Sequence, residues 1–113
     1  GLHARLLVGP RVPLDEIAGS AQELSALLAS VDVTLQKIGA QVDQGVGGNV
    51  LDSPLNALLH FIKELRQCPG APDLEAGDIV TTGIWTDAWP VLPGQRWSAQ
   101  FGAPLRPLQV DFR

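Results

Sequence analysis

The sequence has little of several features that mark specialised protein classes. It contains one cysteine and no methionine or tyrosine, and aromatic residues make up 5% of it. The single cysteine, Cys68, cannot form an internal disulfide, so a disulfide-stapled secreted domain is excluded and a reducing, cytoplasmic location is expected. No CxxC pair or His/Cys cluster is present, and we interpret Cys68 as a structural thiol at the end of a helix.

Charged residues are also sparse, at 18% of the chain, and the net charge is −4 with no basic run. Nothing in this pattern attracts nucleic acid or an anionic membrane surface, and neither is expected as a partner. No apolar stretch approaches the roughly 20 residues that a membrane-spanning helix needs. Residues 1–19 also lack the charged-then-apolar layout of a signal peptide.

What is present fits an ordinary globular chain, since 45% of the 113 residues are hydrophobic. We expect a single domain over residues 1–113. The first residue is Gly and no Met occurs anywhere. Two explanations are open: an engineered start, or a longer protein whose N-terminal part has been removed.

Strands are predicted where apolar and polar residues alternate, or where short β-branched or apolar runs end at turn residues. Val31–Lys37 has the alternating pattern, and a turn at residues 38–40 would return the chain as a hairpin. The predicted strands are Ala4–Val8, Val31–Lys37, Gln41–Gln44, Ile79–Thr82, Arg96–Phe101 and Leu108–Phe112.

The clearest element is a helix at about residues 53–67. Ser53 can cap its first turn, and Pro54 suits the first helical position because its missing N–H would be unpaired there anyway. Pro69-Gly70 ends the helix. A shorter helix is predicted at Ala21–Leu28. Along the helix at about 53–67, apolar residues recur at spacings of three and four and form one stripe: Leu55, Leu58, Leu59, Ile62 and Leu65.

Two motifs in order resemble a known family. Asp52-Ser-Pro-Leu-Asn-Ala57 opens the helix, and Gly77-Asp-Ile-Val-Thr-Thr-Gly83 follows about twenty residues later. With the turn at Pro93-Gly94 and the closing Val110-Asp-Phe112, this order resembles the C-terminal half of the 2-keto-4-pentenoate hydratase and 4-oxalocrotonate decarboxylase branch of the fumarylacetoacetate hydrolase superfamily. The resemblance implies an α+β fold that is mostly β, with a curled mixed sheet forming part of that superfamily's β-roll.

The resemblance also implies a chemistry. Family enzymes act on small 2-hydroxy-dienoic or 2-oxo acids with Mg²⁺ or Mn²⁺, which three carboxylates hold in the part that precedes this segment. We therefore expect no metal site and no catalytic residue in this chain alone, and no activity without the metal-binding half. Asp73-Leu-Glu75 has the spacing of a carboxylate pair, but we interpret it as a solvated loop.

By the same resemblance, the candidate substrate-binding residues are Thr82 and Gly83. A threonine hydroxyl and nearby backbone N–H groups can bind a carboxylate, and Gly83 would allow close backbone approach. Thr82 as a β-branched core residue is an equal alternative, and Ile84 departs from the small or hydroxylated residue of many relatives. His60 is interpreted as an exposed surface residue rather than a base, and His3 as non-catalytic.

Two classes of function remain open at this point. In the first, the chain is the C-terminal portion of a hydratase-like enzyme, or of a related decarboxylase or hydrolase of the same superfamily. In the second, it is a non-enzymatic module for oligomerisation or small-acid binding. A homo-oligomer or the missing N-terminal half is the expected partner, because the fragment should leave strand edges and apolar surface uncovered. Trp85 and Trp89 are interpreted as packing residues, with the mouth of an acid pocket as the alternative.

Overall fold

A computed structural model describes residues 5–113, and it has two helices and a four-stranded sheet. Short 3-10 turns lie at Leu14–Glu16, before the first helix, and at Gly47–Asn49, before the second helix. The elements in chain order are α1 (Ala21–Ser30), β1 (Asp32–Lys37), β2 (Ala40–Val46), α2 (Pro54–Gln67), β3 (Arg96–Phe101) and β4 (Leu108–Asp111).

Helix α2 begins and ends where the sequence predicted. The Ser53 hydroxyl accepts a hydrogen bond from the Leu55 N–H at 3.3 Å, and Pro54 is the first helical residue. After Gln67 the chain leaves helical geometry, and the N–H of Cys68 bonds to the carbonyl of Leu65 at 3.2 Å. The predicted helix at 53–67 is therefore confirmed.

Ser53 also joins the two helices. Its hydroxyl accepts a hydrogen bond from the Ser25 hydroxyl at 2.8 Å and donates one to the Ser25 carbonyl at 3.0 Å. With 2% of its surface exposed, Ser53 is buried yet satisfied by three hydrogen bonds. Helix α1, predicted over Ala21–Leu28, runs two residues further and is capped by Ser20, whose hydroxyl accepts from the Glu23 N–H at 3.1 Å.

The sheet has the order β2-β1-β3-β4, and all of its strand pairs are antiparallel. Val33 lies opposite Phe101 and Leu35 opposite Ala99, so these side chains share one apolar face. Thr34 lies opposite Gln100 and Gln36 opposite Ser98, so the other face is polar. The α+β class is confirmed. For residues 5–113 the prediction of a mixed sheet is wrong, because the strand pairs are antiparallel. The prediction of a mostly β fold is also wrong there, because helices and strands contain similar numbers of residues.

Two predicted strands are absent from the described residues. Arg5–Val8 is irregular and exposed, and residue 4 of that prediction lies outside the described range. Ile79–Thr82 is also irregular, and Ile79 is 62% exposed, so the buried strand predicted there is wrong. The physical reason is that β-branched residues favour strands only when a neighbouring strand pairs with them. The described chain offers no such neighbour at either place.

The core is small. Its apolar members, each less than 9% exposed, are Leu24, Val31, Val33, Val50 and Trp97. Much apolar surface stays uncovered, and Leu59 and Phe61 on α2 are 51% and 41% exposed. Neither described helix combines the length and the apolar character needed to cross a membrane.

The two neighbouring leucines of α2 test this packing. Leu58 is half-buried and Leu59 is exposed, although the sequence placed both on one apolar stripe. Leu58→Ala should lower the free energy of unfolding by about 1–3 kcal/mol, less than for a fully buried leucine. Leu59→Ala should change it by no more than about 0.5 kcal/mol. Urea unfolding of both variants measures this. Equal losses of unfolding free energy would show that α2 does not turn Leu58 toward the protein and Leu59 toward solvent.

Candidate functional site

The segment Ile79–Ile84 lies between helix α2 and the apolar face of the sheet, and a groove borders it on each side. The helix groove has a volume of about 520 Å³, and the sheet groove one of about 460 Å³. Both grooves are lined by Val80, Thr81 and Thr82. This segment is therefore the shared wall of two concave surfaces.

The helix groove collects four side chains that can form hydrogen bonds. His60 and Glu64 lie one helical turn apart on α2, and Thr81 and Thr82 lie on the shared wall. In the part of the chain that the structure describes, none of these four side chains has a hydrogen-bond partner. The rest of the lining is apolar: Leu51, Ala57, Phe61, Ile79 and Val80. Such a groove can hold a small molecule with one polar end and an apolar body.

One wall of the helix groove carries backbone strain. Leu51 and Asp52, which come just before the cap of α2, have φ angles of +46° and +66°. The left-handed region is costly for residues other than glycine, and leucine has no side-chain group to compensate. The Asn56 side chain holds this turn by donating a hydrogen bond to the Leu51 carbonyl at 2.9 Å. Strain that persists in this way is often found beside binding sites.

The sheet groove is largely apolar. Trp85 packs edge-on against Phe101, with the ring centroids 5.8 Å apart and the planes at 88°, a favourable aromatic geometry. Packing by Trp85 is therefore observed, and Trp85 also lines this groove. Trp89 is 42% exposed and lies outside both grooves. The sheet residues that line the groove are Val33, Leu35, Ala99, Phe101 and Leu108.

The position of the shared wall, Ile79–Ile84, is fixed by a close contact between β2 and Trp85, which follows it in the chain. A Cβ atom on Gly45 would collide with the Trp85 carbonyl, so only glycine fits at this position of β2. The Asn49 side chain donates a hydrogen bond to the same carbonyl at 2.9 Å. Since no hydrogen bond within residues 5–113 involves Ile79–Ile84, their position depends on the anchor that follows them.

Asp43 of β2 extends this anchor. One carboxylate oxygen accepts hydrogen bonds from the Asp87 N–H and from the Trp89 indole N–H, both at 3.0 Å, and the other accepts from the Gln44 N–H at 2.8 Å. The indole donor first, and then the two backbone donors, lower the pKa of Asp43 below its ordinary value. The charged carboxylate is therefore the form that holds the segment.

Gly83 has a conformation that other residues rarely adopt, with φ at +128°. A Cβ atom there would also lie 3.1 Å from a methyl group of Val50, which is buried. Gly83 thus turns the chain between the shared wall and the Trp85 anchor while passing close to the core.

The structure brings the predicted residues Thr82 and Gly83 to these grooves, on irregular backbone rather than at a strand end. Thr82 is half-buried, Ile84 is 69% exposed, and Asp73 and Glu75 lie in an exposed turn. His60 is exposed as predicted, but the sequence did not show that it shares a groove with Thr82. Among the described residues, no three His, Cys, Asp or Glu side chains come together in a way that could hold a metal ion.

Comparisons with known proteins agree with this fold. A solved structure of 4-oxalocrotonate decarboxylase from Pseudomonas putida G7, complexed with magnesium and adipate, matches with a TM-score of 0.67 and 28% sequence identity. The same enzyme complexed with calcium and acetate matches with a TM-score of 0.66 and 28% identity. Each match covers 76% of this chain and 32% of the decarboxylase chain. No family model and no curated protein matches the sequence.

The resemblance to the hydratase and decarboxylase branch of the fumarylacetoacetate hydrolase superfamily is therefore confirmed. The chain corresponds to about a third of the length of the decarboxylase that it matches. A β-roll as such is not seen in residues 5–113, whose sheet is open.

The Asp43 anchor predicts a pH dependence. A carboxylate whose pKa is lowered by folding stabilises the fold above its unfolded pKa, about 3.9, and this stabilisation is lost as the pH falls through the lower folded value. We therefore expect the Trp89 indole N–H resonance to stay constant from pH 7 to about pH 5 and to shift toward its unbonded position below about pH 4.

Asp43→Ala should show the unbonded resonance already at pH 7. Asp87→Asn is the matched control, because within residues 5–113 the carboxylate of Asp87 has no hydrogen-bond partner and only its backbone N–H contributes. If the Trp89 resonance is the same in Asp43→Ala and in the parent chain, Asp43 does not anchor this segment.

Proposed function

We propose that this chain is the C-terminal portion of a hydratase- or decarboxylase-like protein that acts on small 2-oxo or 2-hydroxy-dienoic acids. The supporting observation is the match to 4-oxalocrotonate decarboxylase over 76% of the chain at 28% identity. That enzyme has been solved with adipate and with acetate, which are both small carboxylates. We extend the class of ligand, but not a particular acid, to this chain.

The proposed acid-binding group is the shared wall at Thr82 and Gly83. Thr82 lines both grooves, and its hydroxyl has no hydrogen-bond partner among residues 5–113. The backbone groups of Ile79–Ile84 have no partner in the described part of the chain, so their N–H groups are also available. Hydrogen bonds from hydroxyl and backbone N–H donors to a charged carboxylate are stronger than those between neutral groups. The apolar lining would contact the carbon skeleton of the acid.

A divalent metal ion does not fit the residues that are described here. Mg²⁺ and Mn²⁺ are bound by several oxygen ligands, usually carboxylates. Residues 5–113 bring no such cluster together. We therefore assign no step of the chemistry to a metal held by this segment. A cytoplasmic location is part of the proposal.

Replacing Thr82 tests the acid site. Thr82→Val keeps the side-chain shape but removes the hydroxyl, so binding of adipate should weaken about three- to tenfold, the effect of losing one hydrogen bond of about 1 kcal/mol. Thr34→Val makes the same change on the polar sheet face and should leave the affinity unchanged. Titration followed by amide chemical shifts of the labelled chain provides the affinities. Equal affinities for Thr82→Val and the parent chain would refute the assignment.

A non-enzymatic role in assembly is the second candidate, and one observation favours it. Ile79–Ile84 is rich in strand-forming residues yet has no hydrogen bond within residues 5–113, and Ile79 and Ile84 are 62% and 69% exposed. Unpaired strand-like backbone and exposed apolar side chains attract another polypeptide. We propose that a second copy of the chain, or the N-terminal half of a hydratase-like protein, covers this segment.

Sedimentation of the purified chain tests the assembly. A dimer or larger species is expected at micromolar concentration, and Thr81→Pro should shift the population toward monomer because proline removes a backbone donor that pairing would use. Asp73→Pro, in an exposed loop next to Pro72, is the control and should leave the assembly unchanged. A single species of 12.0 kDa would rule out self-association.

A further inference from the structure

Of the residues that line the helix groove, His60 and Glu64 are the titratable ones. They project from the same face of α2, since four residues make about one turn, and they face the wall that carries Thr81 and Thr82. That wall contributes hydroxyl groups and apolar side chains only. The charged residues that flank the lining are Lys63 on α2, Asp52 after Leu51, and Asp78 before Ile79.

A carboxylate bound at Thr82 therefore meets two opposite influences from α2. A ring N–H of His60 can donate a hydrogen bond to the anion. The carboxylate of Glu64 would repel the anion. The acid site would then have an affinity that is set by this pair.

We infer that His60 is a second contact for the carboxylate of a small monoacid or diacid bound at Thr82, and that Glu64 weakens binding of the same ligand. This inference rests on the proposed function, because it assumes that the acid lies in the helix groove rather than in the sheet groove. Thr82 lines both grooves, but His60 and Glu64 line only the helix groove. The pair therefore distinguishes the two locations.

The assignment has a further consequence for the class of ligand. The wall of the groove carries the hydroxyl groups of Thr81 and Thr82, and besides His60 and Glu64 the lining near α2 is formed by Leu51, Ala57 and Phe61. Phe61 is 41% exposed and Leu51 is 59% exposed, so an apolar carbon chain would cover both. The groove thus favours an acid with an unbranched or planar apolar body over a heavily hydroxylated one such as a sugar acid.

Adipate titrations of the 113-residue chain at pH 7 test the inference. His60→Phe keeps a ring but removes the N–H donor, so binding should weaken about three- to tenfold, the effect of losing one hydrogen bond. Glu64→Gln removes a negative charge beside the ligand and should bind about two- to fivefold more tightly.

Glu75→Gln is the matched control, since it removes one negative charge in an exposed turn that does not line the groove, and its affinity should equal that of the parent chain. If His60→Phe and Glu64→Gln both bind as the parent does while Thr82→Val binds more weakly, this inference is overturned and the acid site at Thr82 stands. If Thr82→Val binds as the parent does, the acid site itself is overturned. Absence of adipate binding by the parent chain overturns both.

Discussion

The close approach of strand β2 to the Trp85–Trp89 segment is the contact on which the candidate site depends. Gly45 has no side chain, so the Trp85 carbonyl can lie close to the strand. Asp43, two residues before Gly45 on β2, accepts a hydrogen bond from the Trp89 indole N–H. The preceding Ile79–Ile84 has no hydrogen bond of its own within residues 5–113. Without this anchor the shared wall would lose its position, and both grooves would lose one side.

The same arrangement explains why the fold has both a defined helix pair and much exposed apolar surface. Ser53 caps α2 and bonds to Ser25 of α1, so the helices are joined by partly buried hydrogen bonds as well as by packing. The sheet, in contrast, covers its apolar face only with an irregular segment. A chain that matches about a third of a decarboxylase would show such a surface if another polypeptide completes the fold.

Elements with local signals were predictable from the sequence. Helix α2 has its cap at Ser53 and its stop at Pro69-Gly70, and the hairpin of β1 and β2 follows from alternation and a short turn. The strand predicted at Ile79–Thr82 does not form, because β-branched residues favour a strand only where a neighbouring strand pairs with them. The Asp43 anchor was not predictable, because its donors lie 44 and 46 residues away along the chain. The placement of His60 beside Thr82 depends on the same long-range contacts.

The central claim is that the wall at Thr82 and Gly83 binds small 2-oxo acids. The most direct test is a map of backbone amide shifts in the labelled chain as pyruvate, the simplest stable 2-oxo acid, is added. The account predicts saturable shifts that are largest at Thr81, Thr82 and Gly83 and small on the polar sheet face at Thr34 and Gln100. Saturable shifts centred on that polar face, or no saturable shifts at all, would contradict it.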